Sequence, residues 1–427
     1  MDHRVVITGA GCVTPLGNKP GELWQALTEA RSGVGPITVF DATTFPVRIA
    51  AEVSDWDIHA EIENSEQWER HARHTQFAIV AAENAKASAG LNDQSVEPLR
   101  AGVSMGCGEI FPDFVRFAQL MGNSLHGKEF SSTEYIRECL QLAQADDELT
   151  SDPGVAAGCM AGVLNAQGPN TNFTTACVSS SVALGEAAEV IRRGGAEVMY
   201  AGGAHSMIHP FGISGFYRLS TLSTRNDEPQ LASRPFDADR QGFVVGEGGV
   251  VIVLEELEHA LRRGAEIWGE LTGYGATDDA FRITDPSPDG DPSARCMELA
   301  MRDARLNPEE IDYVNAHGSG TVVNDNMETR AIKTAFGNYA YRLPVSSTKS
   351  MTGHLTTACG ALEFLVCAKA IKTGVIPPTI NYETADPDCD LDYVPNEARD
   401  IACQHVLSNS LGFGGQNVSL IVSKFDL

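Results

Sequence analysis

The chain of 427 residues carries 31 Lys and Arg against 57 Asp and Glu, a formal charge of −26, and 43% of its residues are hydrophobic. Such acidity excludes a non-specific binder of nucleic acid or anionic lipid, because both polyanions would be repelled. The length and composition exclude a disordered or fibrous chain and provide for a large core spread over more than one domain-sized unit.

Short β-branched runs alternate with Ala-rich helix-forming stretches, the pattern of a parallel or mixed α/β sheet. In chain order, strands are expected at 5–8, 101–104, 198–202, 249–254, 313–316, 345–347, 405–408 and 418–422. Helices are expected at 73–88, 180–193, 257–263, 295–303, 328–336 and 359–371. Each part of the chain opens on a strand and later presents a strand, a Gly-rich turn and an Ala-rich helix. This predicts two similar halves, 1–258 and 259–427. Met1-Asp2-His3-Arg4 leads straight into Val5-Val6-Ile7 with no leader-like pattern, and the apolar run at 250–254 is too short to span a bilayer. Ten cysteines are scattered singly with no CxxC pair, as expected of reduced thiols in a cytoplasmic protein.

Gly9-Ala10-Gly11 follows the first strand but lacks the third glycine of a dinucleotide fingerprint, and Pro15 would break the helix it needs. A tight turn with close backbone packing is the better reading. His205 and His209 have the spacing of a helical metal pair, yet Pro210 follows at once and no third ligand is near. They are expected in a loop or pocket, with His71 and His74 equally structural.

Cys177 differs from the other thiols. In Thr174-Thr175-Ala176-Cys177-Val178-Ser179-Ser180-Ser181, small polar residues lead into an Ala-rich helix, so the thiol falls at a helix N-terminus, whose positive end favours thiolate. A cysteine taken alone is more often an inert buried residue. His317, ending a strand in Asn315-Ala316-His317-Gly318-Ser319-Gly320-Thr321, and His354, in Lys349-Ser350-Met351-Thr352-Gly353-His354, both have small neighbours that clear space beside the ring. With Cys177 they fit a nucleophile-plus-histidine arrangement. Ser408-Asn409-Ser410-Leu411-Gly412-Phe413-Gly414-Gly415 offers backbone N–H groups to an oxyanion, or is a plain glycine loop between strands.

In this order and spacing the motifs resemble the β-ketoacyl-acyl-carrier-protein synthases, condensing enzymes of the thiolase superfamily, over essentially the whole chain. Ser233-Arg234-Pro235-Phe236-Asp237 and Gly242-Phe243-Val244-Val245-Gly246-Glu247-Gly248 carry the resemblance as specifically as the candidate catalytic residues. It implies a five-layered αβαβα fold and the decarboxylative condensation of an acyl chain with malonyl-carrier protein, in fatty-acid or type II polyketide biosynthesis, without metal or organic cofactor. It further implies Cys177 as acyl acceptor, His317 and His354 as the decarboxylation pair, Lys349 as a supporting lysine paired with Glu328, and Phe413 as a gate between acyl and malonyl sites. The backbone N–H groups of Cys177 and Phe413 would form the oxyanion hole. The implied partners are an acyl carrier protein and a second subunit, in a homodimer or a heterodimer with a chain-length-factor-like chain. Ser319-Gly320-Thr321 and Thr75-Gln76-Phe77-Ala78 look more like the polyketide branch, whereas Gly106-Cys107-Gly108-Glu109 departs from the family's acyl-pocket floor. Carriers are acidic, so docking on a −26 protein calls for a local basic patch, for which Arg70, Arg73 and Arg225 are candidates. A chain-length-determining subunit without activity and a thiolase-like coenzyme A acyltransferase are the alternatives.

Overall fold

The computed structural model describes residues 3–108, 114–142 and 152–426. Ten strands share one sheet: β1 (Val5–Val13), β2 (Ala101–Gly106), β3 (Asn170–Phe173), β4 (Val198–His205), β5 (Gly248–Glu256), β6 (Gly269–Asp278), β7 (Tyr313–Asn315), β8 (Val345–Ser346), β9 (His405–Leu411) and β10 (Gln416–Ser423). Their spatial order is β8-β7-β9-β10-β6-β1-β5-β4-β2-β3. Counted within each set of five, both sets run 3-2-4-5-1 from the outer edge inward, so the second half repeats the topology of the first. The two sets meet where β1 pairs antiparallel with β6, at Val6 opposite Glu270 and Ile7 opposite Gly269.

The helices that matter are α1 (Arg73–Ser88), α2 (Phe114–Asn123), α3 (Ser132–Leu142), α4 (Val155–Leu164), α5 (Ser179–Arg192), α6 (Pro210–Arg218), α7 (Asp291–Ala304), α8 (Val322–Phe336) and α9 (Cys359–Thr373). Helices α1 and α4 cover the outer face of the first half-sheet, and α7 and α8 cover that of the second. Between the half-sheets, α5 and α9 pack on one another and on β4 and β9, respectively. Five layers result. Sandwiching explains why β5 reads as an unbroken apolar run: every residue of Gly248–Glu256 is buried, as a strand covered on both faces requires. Small residues set the spacing. In α1, Ala78, Ala81, Ala82 and Ala85 are all buried, and a Cβ on Gly11 would fall 2.0 Å from the Ala81 carbonyl. Strand β1 therefore continues through Gly9-Ala10-Gly11 to Val13, where a tight turn was expected; the close packing is present, the turn is not.

Both central helices start the same way. A 3-10 turn at Ala176–Val178 precedes α5, and one at Thr356–Ala358 precedes α9. Each opens on a non-glycine residue in the left-handed region, Ala176 at φ 48° and Thr356 at φ 41°. That conformation costs on the order of 1–3 kcal/mol and persists because its surroundings impose it. Here the imposition is glycine-lined packing: a Cβ on Gly106 would lie 2.3 Å from Ser180 N, and one on Gly203 2.7 Å from both Ser180 Cβ and Thr357 O.

His205 ends β4, and His209 caps α6 by accepting from Gly212 N at 3.1 Å. Burial pushes His205 down to about 3 and His74 down to about 4, so both are neutral in the folded protein. Their folded values lie below the unfolded one, so the stability they contribute is complete above about pH 6.5 and is lost as the pH falls towards their folded values. His74 is worth up to about 3 kcal/mol and His205 up to about 5 kcal/mol. The thermal midpoint is therefore expected to drop steeply between pH 7 and 5, and His205→Asn should flatten that dependence. No helix among the described residues is long and apolar enough to cross a membrane.

Candidate active site

Cys177 occupies the middle of the 3-10 turn before α5 and is 7% exposed, so its sulfur sits at the positive end of that helix. His317 lies two residues after the end of β7, and His354 lies within the segment between β8 and α9, just before the 3-10 turn. Cys177, His317, His354 and Phe413 all line one cavity of about 330 Å³ whose walls also include Phe243, Leu411 and Gly412. The first half supplies the thiol and the second supplies both imidazoles.

The imidazoles lie edge to face, with ring centroids 5.2 Å apart and planes at 78°. Their hydrogen-bond partners define the tautomers. Thr356 N–H donates to His354 Nδ1 at 3.0 Å, so the ring proton of neutral His354 is on Nε2. The Lys349 ammonium lies 3.4 Å from His317 Nδ1, a donor facing an acceptor, which puts the His317 proton on Nε2 as well. Both rings are neutral: burial, then Lys349 and the other site histidine, hold His317 well below the ordinary imidazole value, and burial, then Lys349 and His205, do the same to His354. The result is a pair of uncharged Nε2–H donors.

Lys349 and Glu328 stand behind these rings and do not line the cavity. The expected direct pair between them is absent. Lys349 Nζ instead forms an ion pair with Glu363 of α9 and donates to the His317 carbonyl at 2.6 Å. Glu328 accepts from His317 N at 2.8 Å, Gly318 N at 2.7 Å and Asn409 Nδ2 at 2.8 Å, fixing the turn that carries His317. With both its oxygens engaged by these donors, Glu328 acts on Lys349 only through its charge. Burial opposes the Lys349 charge, but Glu363, together with Cys359 and Glu328, outweighs it and holds the ammonium above its ordinary value. Burial pushes the Glu363 carboxyl up. Glu363→Ala would strand a lysine that is 1% exposed, an expected loss of about 3–5 kcal/mol. Thermal unfolding should show it, and Lys349→Met with Glu363→Leu should recover most of the loss.

The signature segment serves this scaffold. Ser233 Oγ donates to the Lys349 carbonyl at 2.7 Å, and Phe236 N donates to Asp325 Oδ2 at 2.8 Å, while Asp325 also accepts from Gly320 N. A second thiol, missed in the sequence, lies beneath the first: Cys359 Sγ donates to the Cys177 carbonyl at 3.2 Å. Ligand atoms of His317, Cys359 and Glu363 come within 4.8 Å of one another, but the Lys349 ammonium beside them already engages Glu363 and opposes a cation. The Phe413 N–H makes no hydrogen bond among the described residues, whereas Gly412 N and Gly414 N are spent on Gln416 O and Ile283 O. Glu109 of the expected pocket floor lies outside the described residues. Of the candidate docking arginines, Arg73 is consumed by Glu247, at 2.9 Å, and by the Val53 carbonyl, and none of Arg70, Arg73 and Arg225 lines the cavity.

A thiol at a strained helix start, facing two neutral imidazole donors across a duplicated α/β frame, is the arrangement of thiolase-fold acyl-transfer enzymes. The chain belongs to the β-ketoacyl synthase family: the Beta-ketoacyl synthase N-terminal domain matches residues 2–260 and the C-terminal domain residues 268–383. It is 43% identical to the 3-oxoacyl-[acyl-carrier-protein] synthase 2 of Coxiella burnetii, over 99% of each chain. Among solved structures, it superposes with a TM-score of 0.89 and 33% identity, over the whole of both chains, on AntDE:AntF, a type II PKS acyl-carrier protein in complex with its ketosynthase bound to the hexaketide. The ishigamide ketosynthase/chain length factor aligns at a TM-score of 0.86 and 34% identity, again over the whole of both chains.

Proposed function

We propose that the chain is a β-ketoacyl-acyl-carrier-protein synthase that joins a Cys177-bound acyl chain to malonyl-carrier protein with loss of CO₂. The observation that carries this reading is the shared cavity, where Cys177 faces two imidazoles whose only protons are on Nε2. The Cys177 sulfur attacks an acyl thioester, the S–acyl bond forms, and the carrier thiol leaves with the proton. Malonyl-carrier then enters. Its C–COO⁻ bond breaks, CO₂ departs, and the electron pair is delocalised onto the thioester oxygen, where the His317 and His354 Nε2–H donors stabilise the enolate. The enolate carbon attacks the acyl-Cys177 carbonyl. The oxyanion formed there is held by the Cys177 and Phe413 N–H groups, and collapse releases the β-ketoacyl-carrier and regenerates the thiolate. Lys349, paired to Glu363, and Glu328 position His317. Phe413, which lines the same cavity, gates the two substrates.

The higher identity to the 3-oxoacyl-carrier synthase favours fatty-acyl elongation over polyketide extension, and the complete centre disfavours an inactive chain-length-determining role. Phe413, standing where a thiolase would place a second cysteine, disfavours the coenzyme A reading. The division into 1–258 and 259–427 is supported by the repeated strand order. A dimer is supported by the exposed edge of β3 and by Val115, Ile136 and Leu140, exposed on α2 and α3. A second copy or a chain-length-factor-like chain could provide the other subunit. No disulfide joins any of the described cysteines, in keeping with a cytoplasmic location.

Intact-mass analysis tests the central reading. Incubation with acyl-carrier protein should add one acyl mass to the protein, and malonyl-carrier should then remove it with release of a β-ketoacyl-carrier. An unmodified protein mass after incubation with acyl-carrier protein, or an acyl mass that malonyl-carrier leaves in place, overturns the reading.

A further inference from the structure

Cys359 is a buried nucleophile that the condensation does not use. It opens α9, directly after the 3-10 turn Thr356–Ala358, and is 2% exposed. The corresponding first residue of α5 is Ser179, whose hydroxyl closes its own turn by donating to the Ala176 carbonyl at 2.7 Å. Cys359 instead directs its Sγ across to the other helix start, where it donates to the Cys177 carbonyl at 3.2 Å. Bonded geometry then puts that sulfur within about 6 Å of the Cys177 Cα. The two helix starts are locked together around this contact. Ala361 N donates to Ser180 Oγ at 3.0 Å, and a Cβ on Gly360 would fall 1.9 Å from Ser181 Oγ.

The two thiols differ in the way an oxidation pair requires. Cys177 lines the cavity at the positive end of α5, within reach of a small oxidant and inclined to thiolate. Cys359 is absent from the cavity wall, and burial, then Glu363, keeps it protonated. A peroxide therefore meets the first thiol and not the second. Thiolate character and exposure decide which cysteine is oxidised, and an adjacent thiol decides whether the product is trapped reversibly.

We propose that Cys359 is the resolving thiol of Cys177: a hydroperoxide oxidises Cys177, and Cys359 converts the product into a Cys177–Cys359 disulfide. The Cys177 thiolate attacks a peroxide oxygen, the S–O bond forms and the O–O bond breaks. Hydroxide or alkoxide leaves and takes up the proton that the thiol had given up. Cys177 is now a sulfenic acid, oxidised by two electrons, and the peroxide is reduced by two. The Cys359 sulfur then attacks the Cys177 sulfur, the S–S bond forms, the S–OH bond breaks, and the Cys359 proton departs with the hydroxyl as water. A dithiol reverses the disulfide by exchange. Without a resolving thiol, further peroxide carries the sulfenic acid to sulfinic acid, which thiols do not reduce. The pair itself needs only the Cys177 thiol at the cavity; its value in guarding the acyl acceptor rests on the synthase reading above.

The test is intact mass and peptide mapping under non-reducing conditions after exposure to hydrogen peroxide, which requires no turnover. The wild type should become about 2 Da lighter, with the peptides bearing Cys177 and Cys359 joined. Dithiothreitol should restore at least about 80% of the Cys177 that iodoacetamide can alkylate. Cys359→Ser keeps a donor for the Cys177 carbonyl. It should instead become about 32 Da heavier at Cys177 and regain less than about 20% of that alkylation. A wild type in which the two peptides are never joined overturns the proposal, and this arm needs no variant. Equal recovery of wild type and Cys359→Ser overturns it as well. A protein that forms the joined pair yet never acquires an acyl mass would refute the synthase reading and leave the resolving thiol standing, whereas an acylated protein without the joined pair refutes the resolving thiol alone.

Discussion

Cys177→Ala is expected to abolish acyl-enzyme formation and to reduce condensation by at least about 10⁴-fold, the scale on which covalent enzymes lose rate when the nucleophile is removed. The structure explains why no other thiol should substitute. Cys359, the nearest alternative, hydrogen-bonds the Cys177 carbonyl from beneath the turn and is absent from the cavity wall. Burial, then the Glu363 carboxylate, also pushes its thiol well above the ordinary range, so it carries almost no thiolate near neutrality. The measurement is intact mass after exposure to acyl-carrier, with peptide mapping of any adduct. Stoichiometric acylation of the alanine variant would remove Cys177 from its role.

The second large effect separates the two half-reactions. His317→Ala and His354→Ala should each cut CO₂ release from malonyl-carrier by about 10²–10³-fold, the usual loss on deleting one donor to a developing oxyanion. Transfer of the acyl group to Cys177 should survive, because that oxyanion is served by backbone N–H groups. Both rings remain neutral far below the ordinary imidazole value, so the wild-type decarboxylation rate should be flat from about pH 6 to 8. A step near pH 6.5 in that rate, or an alanine variant that releases labelled CO₂ at the normal rate, would show that the histidine concerned acts in another way.

Much of this molecule was legible in its sequence where burial is two-sided. Strands β1, β4, β5 and β10 announce themselves as β-branched runs, and α1 spans the expected Arg73–Ser88 without adjustment. Strand β6 was not foreseen because Gly269, Gly273 and Gly275 dilute its alternating pattern. The structure needs them: Cβ atoms on Gly273 and Gly275 would lie 2.4 and 2.2 Å from the Ala300 and Cys296 carbonyls of α7. Strand β3, Asn170–Phe173, is a polar edge strand with no apolar run to reveal it.

The candidate residues at the cavity were each marked by small neighbours. Their supporting ionic pair was not, because pairing between segments far apart in the chain leaves no local trace. A signal did exist for Glu363: it is the one acidic residue in the apolar helix Cys359–Thr373, and a charge in that position has to find a buried partner. Arg73, one of the candidate docking arginines, illustrates the complementary case. Arg73 looks like a free surface charge in sequence, yet Glu247, supplied 174 residues later, claims it.

The thiol and the two imidazoles come from opposite halves, with His317 and His354 following Cys177 at separations of 140 and 177 residues (317 − 177 and 354 − 177). A ribosome therefore releases Cys177 long before either histidine exists, and contacts of such separation form late in folding. An unfinished or truncated chain has a thiol without the donors that draw CO₂ from malonyl thioesters, so it cannot squander them. Translation order itself keeps the chemistry unarmed until the last strands close the sheet.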